Sequence, residues 1–122
     1  MPEWFEVSET TARIVSETKL AGGRVVAVGT TVTRALESAV VRRGRRGATV
    51  RAARGWTDRV VSPRHPPLVV DGLVTGWHDP HASHLLLVEA VAGLALTQRA
   101  YDEAVAAGYL WHEFGDSALL LP

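Results

Sequence analysis

The 122-residue chain contains no cysteine, which excludes a disulfide framework and a thiolate metal site. It has no run of about eighteen apolar residues, so no membrane-spanning helix is expected. Its N-terminus, Met1-Pro2-Glu3-Trp4, lacks the basic and apolar regions of a secretory signal. The expected compartment is therefore the cytoplasm. Charge of one sign is missing too: thirteen Lys and Arg cancel thirteen Asp and Glu. A domain that binds nucleic acid alone usually carries a basic excess, and this one has none overall.

What is present is enough apolar material for one core, 47% of the residues, in a length that suits one domain over residues 1–122. The positive charge is unevenly spread. Arg42, Arg43, Arg45, Arg46, Arg51 and Arg54 crowd an arginine-rich loop at about 42–55. Blocks of like charge are usually solvated; the alternative is a loop that contacts phosphates.

Ser8 is a fitting N-cap for a helix that Gly22-Gly23 would end. Arg24 to Val28 reads as a short buried strand, followed by a small-residue turn and a helix over about 32–41. Ala48 to Val50 and Thr57 to Val61 are candidate strands, and Leu68 to Thr75 a strand interrupted at Asp71-Gly72. Asp79-Pro80 signals helix entry, with Ser83 an equally good cap. A further helix over Gln98 to Ala107 is ended by Gly108, and Leu119 to Leu121 is a candidate closing strand. The pattern predicts an α/β fold: one small domain with a short mixed sheet flanked by helices.

Three places could carry chemistry. Gly29-Thr30-Thr31 lies at a strand-to-helix junction, where free backbone N–H groups attract anionic or polar groups; the threonines could equally be simple caps. Asp71 with Thr75-Gly76-Trp77-His78-Asp79-Pro80 forms a polar cluster at the end of an apolar strand, where α/β folds place ligands. There His78 can serve as acid or base and Trp77 offers a flat face, unless both only complete local packing. Trp111-His112-Glu113-Phe114-Gly115-Asp116 echoes the Trp-His-acid order of Trp77-His78-Asp79 without being a repeat, since the flanks differ, and Gly115-Asp116 suits a turn. His78, His81 and His84 stand three apart, but His78 precedes the expected helix start and no carboxylate joins them, so no metal site is expected.

Taken in order, these segments resemble the QueA family, the S-adenosylmethionine:tRNA ribosyltransferase-isomerases. Glu3-Trp4-Phe5-Glu6-Val7-Ser8 is similar to its H-x-E-W/Y-x-x-V segment, and Gly22 to Thr31 to its glycine-glycine-arginine strand and Gly-Thr-Thr turn. Arg34, Leu36, Glu37 and Ser38 continue that match. Gly55-Trp56-Thr57-Asp58 resembles the GWTD block, and Val70 to Thr75 with His78 and Pro80 the VDGLITNFHLP block. Ala90 to Gly93, Tyr101, Gly108-Tyr109 and Gly115-Asp116 complete the series. The match spans nearly the whole chain and corresponds to the C-terminal part of a family member, well under half of it.

The resemblance implies the fold of that C-terminal part. It also implies ribosyl transfer from S-adenosylmethionine, as substrate, to a deazaguanine base in tRNA. An adenosyl site would involve Gly29, Thr30, Thr31, Arg34, Thr75, Trp77 and Asp116, with His78 and Asp71 as catalytic residues. The chain departs from the family at Met1, Val32, Gly76, His81, Ala82 and His84, where histidine, serine, asparagine, lysine, serine and threonine are usual. Three functions follow: a tRNA-modifying enzyme present as a fragment, a freestanding domain that binds an adenosyl or other small ligand, or a non-catalytic domain that works as an oligomer. A homo-oligomer is expected, because a domain cut from a larger one exposes its former interface.

Overall fold

The computed structural model describes residues 2–42, 47–77, 82–110 and 115–122. In chain order its elements are β1 (Glu3–Val7), α1 (Glu9–Leu20), β2 (Val26–Val28), α2 (Thr30–Ser38), β3 (Val40–Arg42), β4 (Ala48–Val50), β5 (Ala53–Thr57), β6 (Gly72–Gly76), α3 (Ala82–Ala92), α4 (Leu94–Ala106) and β7 (Ser117–Leu120). The expected mixed sheet is present as β2-β6-β7, with β2 parallel and β7 antiparallel to the central β6. Two antiparallel ribbons, β1-β5 and β3-β4, stand beside it.

Local chemistry explains the elements. Ser8 is extended and its hydroxyl accepts the Thr11 N–H at 3.2 Å, which starts α1. Further along α1, the Ser16 hydroxyl donates to the Val50 carbonyl at 2.9 Å and accepts the Val50 N–H at 3.0 Å. That two-way contact fastens the helix to β4. Gly29 adopts φ 99°, a conformation open to glycine, and turns β2 directly into α2. The shared core gathers Ala27 and Leu73 from the sheet, Leu36 from α2, Leu87 and Val88 from α3, and Val61 and Val69 from the connection before β6. Burying a side chain such as Leu73 or Leu87 contributes about 1.5–3 kcal/mol.

Several expected boundaries moved. Thr57 to Val61 is not a strand; the strand is Ala53–Thr57, paired with β1. The Thr57 hydroxyl accepts the Arg59 N–H at 3.1 Å and turns the chain out of the ladder. The strand expected from Leu68 begins at Gly72 instead. The amides of Leu68 and Val69 are taken by the Glu37 carboxylate, so they have no N–H left for a neighbouring strand. β1 was not expected as a strand. The helix-entry pair Asp79-Pro80, much of the arginine cluster and Trp111 to Phe114 lie outside the described residues.

Candidate functional site

β2 and β6 run parallel, so their carboxyl ends open on the same side of the sheet. The Gly29 N–H donates to the Val74 carbonyl at 2.8 Å and locks the two ends together. Gly29, rather than a threonine, is the N-cap of α2, and no side chain caps its first turn. The backbone N–H groups at Thr30 and Thr31, in the first turn of α2, thus have no partner within the helix. On the other flank of β6 the Trp77 N–H donates to the Asp116 carbonyl at 3.0 Å. Gly29, Thr30, Thr31, Thr75, Trp77 and Asp116 are therefore gathered at one end of a three-stranded sheet. Trp77 is buried, meets Tyr101 edge to face at 4.8 Å, and its indole N–H finds no acceptor among the described residues. His78 follows Trp77 and lies outside the described residues.

Asp71 does not join that cluster, contrary to expectation. It precedes the first residue of β6, whereas Thr75 is about 13 Å and Trp77 about 20 Å further along the extended chain. Its carboxylate accepts Lys19 Nζ at 2.8 and 2.9 Å and the Val25 N–H at 2.8 Å. Those bonds join the end of α1, the entry to β2 and the start of β6.

Arg34 lies one helical turn beyond Thr30 and faces a separate recess. A cavity of about 670 Å³ is walled by Pro2, Glu3, Arg34, Thr57 to Val61, Leu86 and Leu87. Arg34 Nη1 donates to Glu3 Oε1 at 3.0 Å across part of its wall. A guanidinium has five N–H donors, so this pair leaves Arg34 further donors. Arg59 adds a second guanidinium, whose Nε is buried with no partner among the described residues. Asp58 and Glu3 supply carboxylates, and Val61, Leu86 and Leu87 an apolar wall. The recess can hold a zwitterion beside an apolar group, and its size lies within the ligand-pocket range of about 300–1,000 Å³. Gly29, Thr30, Thr31, Thr75, Trp77 and Asp116 are not among its described wall residues.

Glu3, Asp58 and Arg59 were not singled out from the sequence as site residues. The signal was available: Glu3 and Asp58 belong to two of the blocks that carry the resemblance. Glu37 of α2 is 1% exposed. Burial pushes its carboxyl above the ordinary 4.5, against the opposing pull of the Leu68, Val69 and Val70 amides and of Arg59. No group of three or more metal-ligating side chains occurs among the described residues. No helix among them is long and apolar enough to cross a membrane.

Fold and recess define a class: a small α/β domain with a parallel strand pair and, apart from it, a charged, ligand-sized cavity. Within that class, the chain belongs to the queuosine biosynthesis protein family, which it matches over residues 1–120. It is 43% identical over 119 residues to the S-adenosylmethionine:tRNA ribosyltransferase-isomerase of Pelotomaculum thermopropionicum, covering 98% of this chain and 34% of that protein. The enzyme of the same name from Halothermothrix orenii is 44% identical over 119 residues, with the same coverage. The crystal structure of S-adenosylmethionine tRNA ribosyltransferase from Thermotoga maritima superposes with a TM-score of 0.80 at 38% identity, covering 97% of this chain and 40% of that one. The chain thus spans about a third of the length of the curated relatives it matches, and corresponds to their C-terminal part.

Proposed function

We propose that this domain binds S-adenosylmethionine and contributes part of the site at which its ribosyl group is transferred to a deazaguanine base in tRNA. The observation that carries the reading is the recess lined by Arg34, Arg59, Glu3 and Asp58 together with Leu86 and Leu87. S-Adenosylmethionine presents an amino-acid zwitterion, a sulfonium cation and a flat base. Guanidinium groups suit the α-carboxylate, carboxylates suit the ammonium and the sulfonium, and the apolar wall suits the less polar remainder. The amides at Gly29, Thr30 and Thr31, with Thr75, Trp77 and Asp116, offer further polar contacts at the strand ends, outside that recess.

The reaction needs a base for the proton beside the sulfonium, and then the aminomethyl group of the modified tRNA base as nucleophile. Adenine and methionine are the groups released. His78 follows Trp77 in the sequence and is the residue we assign to the proton. For Asp71 the bonds to Lys19 and Val25 favour a positioning role over direct contact with substrate. The departures at Val32 and Gly76 remove a hydroxyl and an amide from this end of the sheet, which favours a second reading: the domain keeps ligand binding with an altered reaction. Cytoplasmic location and contact with tRNA belong to the same proposal.

Calorimetric titration with S-adenosylmethionine and, separately, bulk tRNA tests it. Saturable binding of the first is expected. Binding of neither refutes the proposal for this chain. Where turnover is seen, His78→Ala should abolish it with affinity unchanged; undiminished turnover refutes the assignment.

A further inference from the structure

The sheet β2-β6-β7 carries no charge on either face, and its side chains are aliphatic apart from Thr75 on the inner face and Ser117 at the end of the outer one. Ala27, Leu73 and Leu120 point into the core. On the opposite face, register sets Val26 beside Gly72, Val28 beside Val74 and Val74 beside Leu119. Leu121 continues that face, since a Cβ on Gly72 would lie 2.7 Å from its Cδ2 and 3.3 Å from Val26 Cγ2. None of these residues carries a charge, yet Val28 is 69% and Leu119 59% exposed. A sheet face meant for water alternates to polar side chains, and parallel strands occur almost only where both faces are covered. β2 also pairs with β6 alone among the described strands, which leaves its other edge without a neighbour.

The occupant follows from the coverage of the relatives. This chain superposes on 40% of the Thermotoga maritima enzyme, so the larger share of that protein lies outside the match. An uncharged, largely aliphatic surface resembles a domain core cut in half rather than a transient contact. We infer that the outer face of β2-β6-β7 is the seam along which this domain packs against the remaining part of the family fold, whether that part stands on the same polypeptide or another. The inference does not depend on the ligand proposed above.

Two measurements test it. In a chimera, residues 1–122 replace the matched segment of the Thermotoga maritima enzyme, and thermal unfolding is followed. One cooperative transition is expected. The substitution pair Val28→Asp with Leu119→Asp should split it into two, whereas Leu94→Asp with Val105→Asp, equally exposed on α4, should not. Two transitions in the unsubstituted chimera, or equal effects of both pairs, overturn the inference. The second measurement is light scattering on residues 1–122 mixed with the rest of that enzyme. A one-to-one complex, weakened about tenfold or more by the Val28 and Leu119 pair at unchanged circular dichroism, is expected. A homodimer that the remainder does not displace, and that the same pair disrupts, would make a second copy the occupant and overturn the inference. Absence of any complex counts against it equally.

Discussion

The carboxylate of Glu37 holds the backbone N–H of Val69 on both of its oxygens, each at 3.1 Å. The same carboxylate takes the Leu68 N–H, so one side chain of α2 organises the chain that leads into β6. Glu37→Gln sets an NH₂ donor against backbone donors and is expected to destabilise the fold by about 1–3 kcal/mol. The pH dependence follows from the direction of the shift. The folded carboxyl titrates above the ordinary 4.5, so between those two values the folded state binds more protons than the unfolded state. Stability therefore falls as pH rises through that window. Melting temperatures measured from about pH 4 to about pH 8 should show this decline in the native chain and a flatter profile in Glu37→Gln. Parallel profiles would contradict it.

Lys19 and Asp71 make a partly exposed ion pair at 2.8 Å, of a kind that contributes about 1 kcal/mol at most. The bond from the Val25 N–H adds to it. Asp71→Ala is expected to cost about 1–3 kcal/mol, while Lys19→Ala costs less. Chemical denaturation of both variants checks the order. If Asp71 instead acts on substrate, Asp71→Asn would lose turnover far beyond what its loss of stability explains, whereas a positioning role predicts that the two fall together.

Much of the framework was legible because its signals are local. Ser8 before α1, Gly29 between β2 and α2, and Gly108 after α4 act on their immediate neighbours, and their residue types announced them. β1 was not legible, because its pairing partner, Ala53–Thr57, lies about fifty residues away and its own alternation is broken by Glu3. The strand expected from Leu68 failed for a similar reason: its amides are captured by Glu37, 31 residues earlier. In the site, the Gly29 junction and its neighbours on β6 and before β7 came together because parallel pairing aligns their strand ends. Asp71 was misplaced because closeness in sequence was read as closeness in space along an extended strand. The recess around Arg34 draws on β1, α2, the residues after β5, and α3, so only Arg34 was found beforehand.

Gly29→Ala places a Cβ at φ 99°, where the cost is conformational; the space around it is open. About 1–3 kcal/mol of destabilisation is expected. S-Adenosylmethionine affinity should fall with it, because the amides of Thr30 and Thr31 depend on this turn. Unchanged affinity would remove the junction from the ligand site.

Arg34→Ala removes the contact with Glu3, whose partial exposure limits the stability loss to about 1 kcal/mol or less. Ligand affinity should drop by about tenfold or more, since a charged donor leaves the recess. Calorimetry on the variant separates the two effects; full affinity would take Arg34 out of the site.

The most direct test is an amide chemical-shift titration of the isotopically labelled chain with S-adenosylmethionine. The largest shifts are expected at Arg34, at Thr57 to Val61 and at Leu87, with smaller ones at Gly29, Thr30 and Thr31. Saturation without change at those residues, or shifts confined to the groove around Glu6 to Thr10 and Ala52 to Arg54, would contradict the assignment of the ligand to the charged recess.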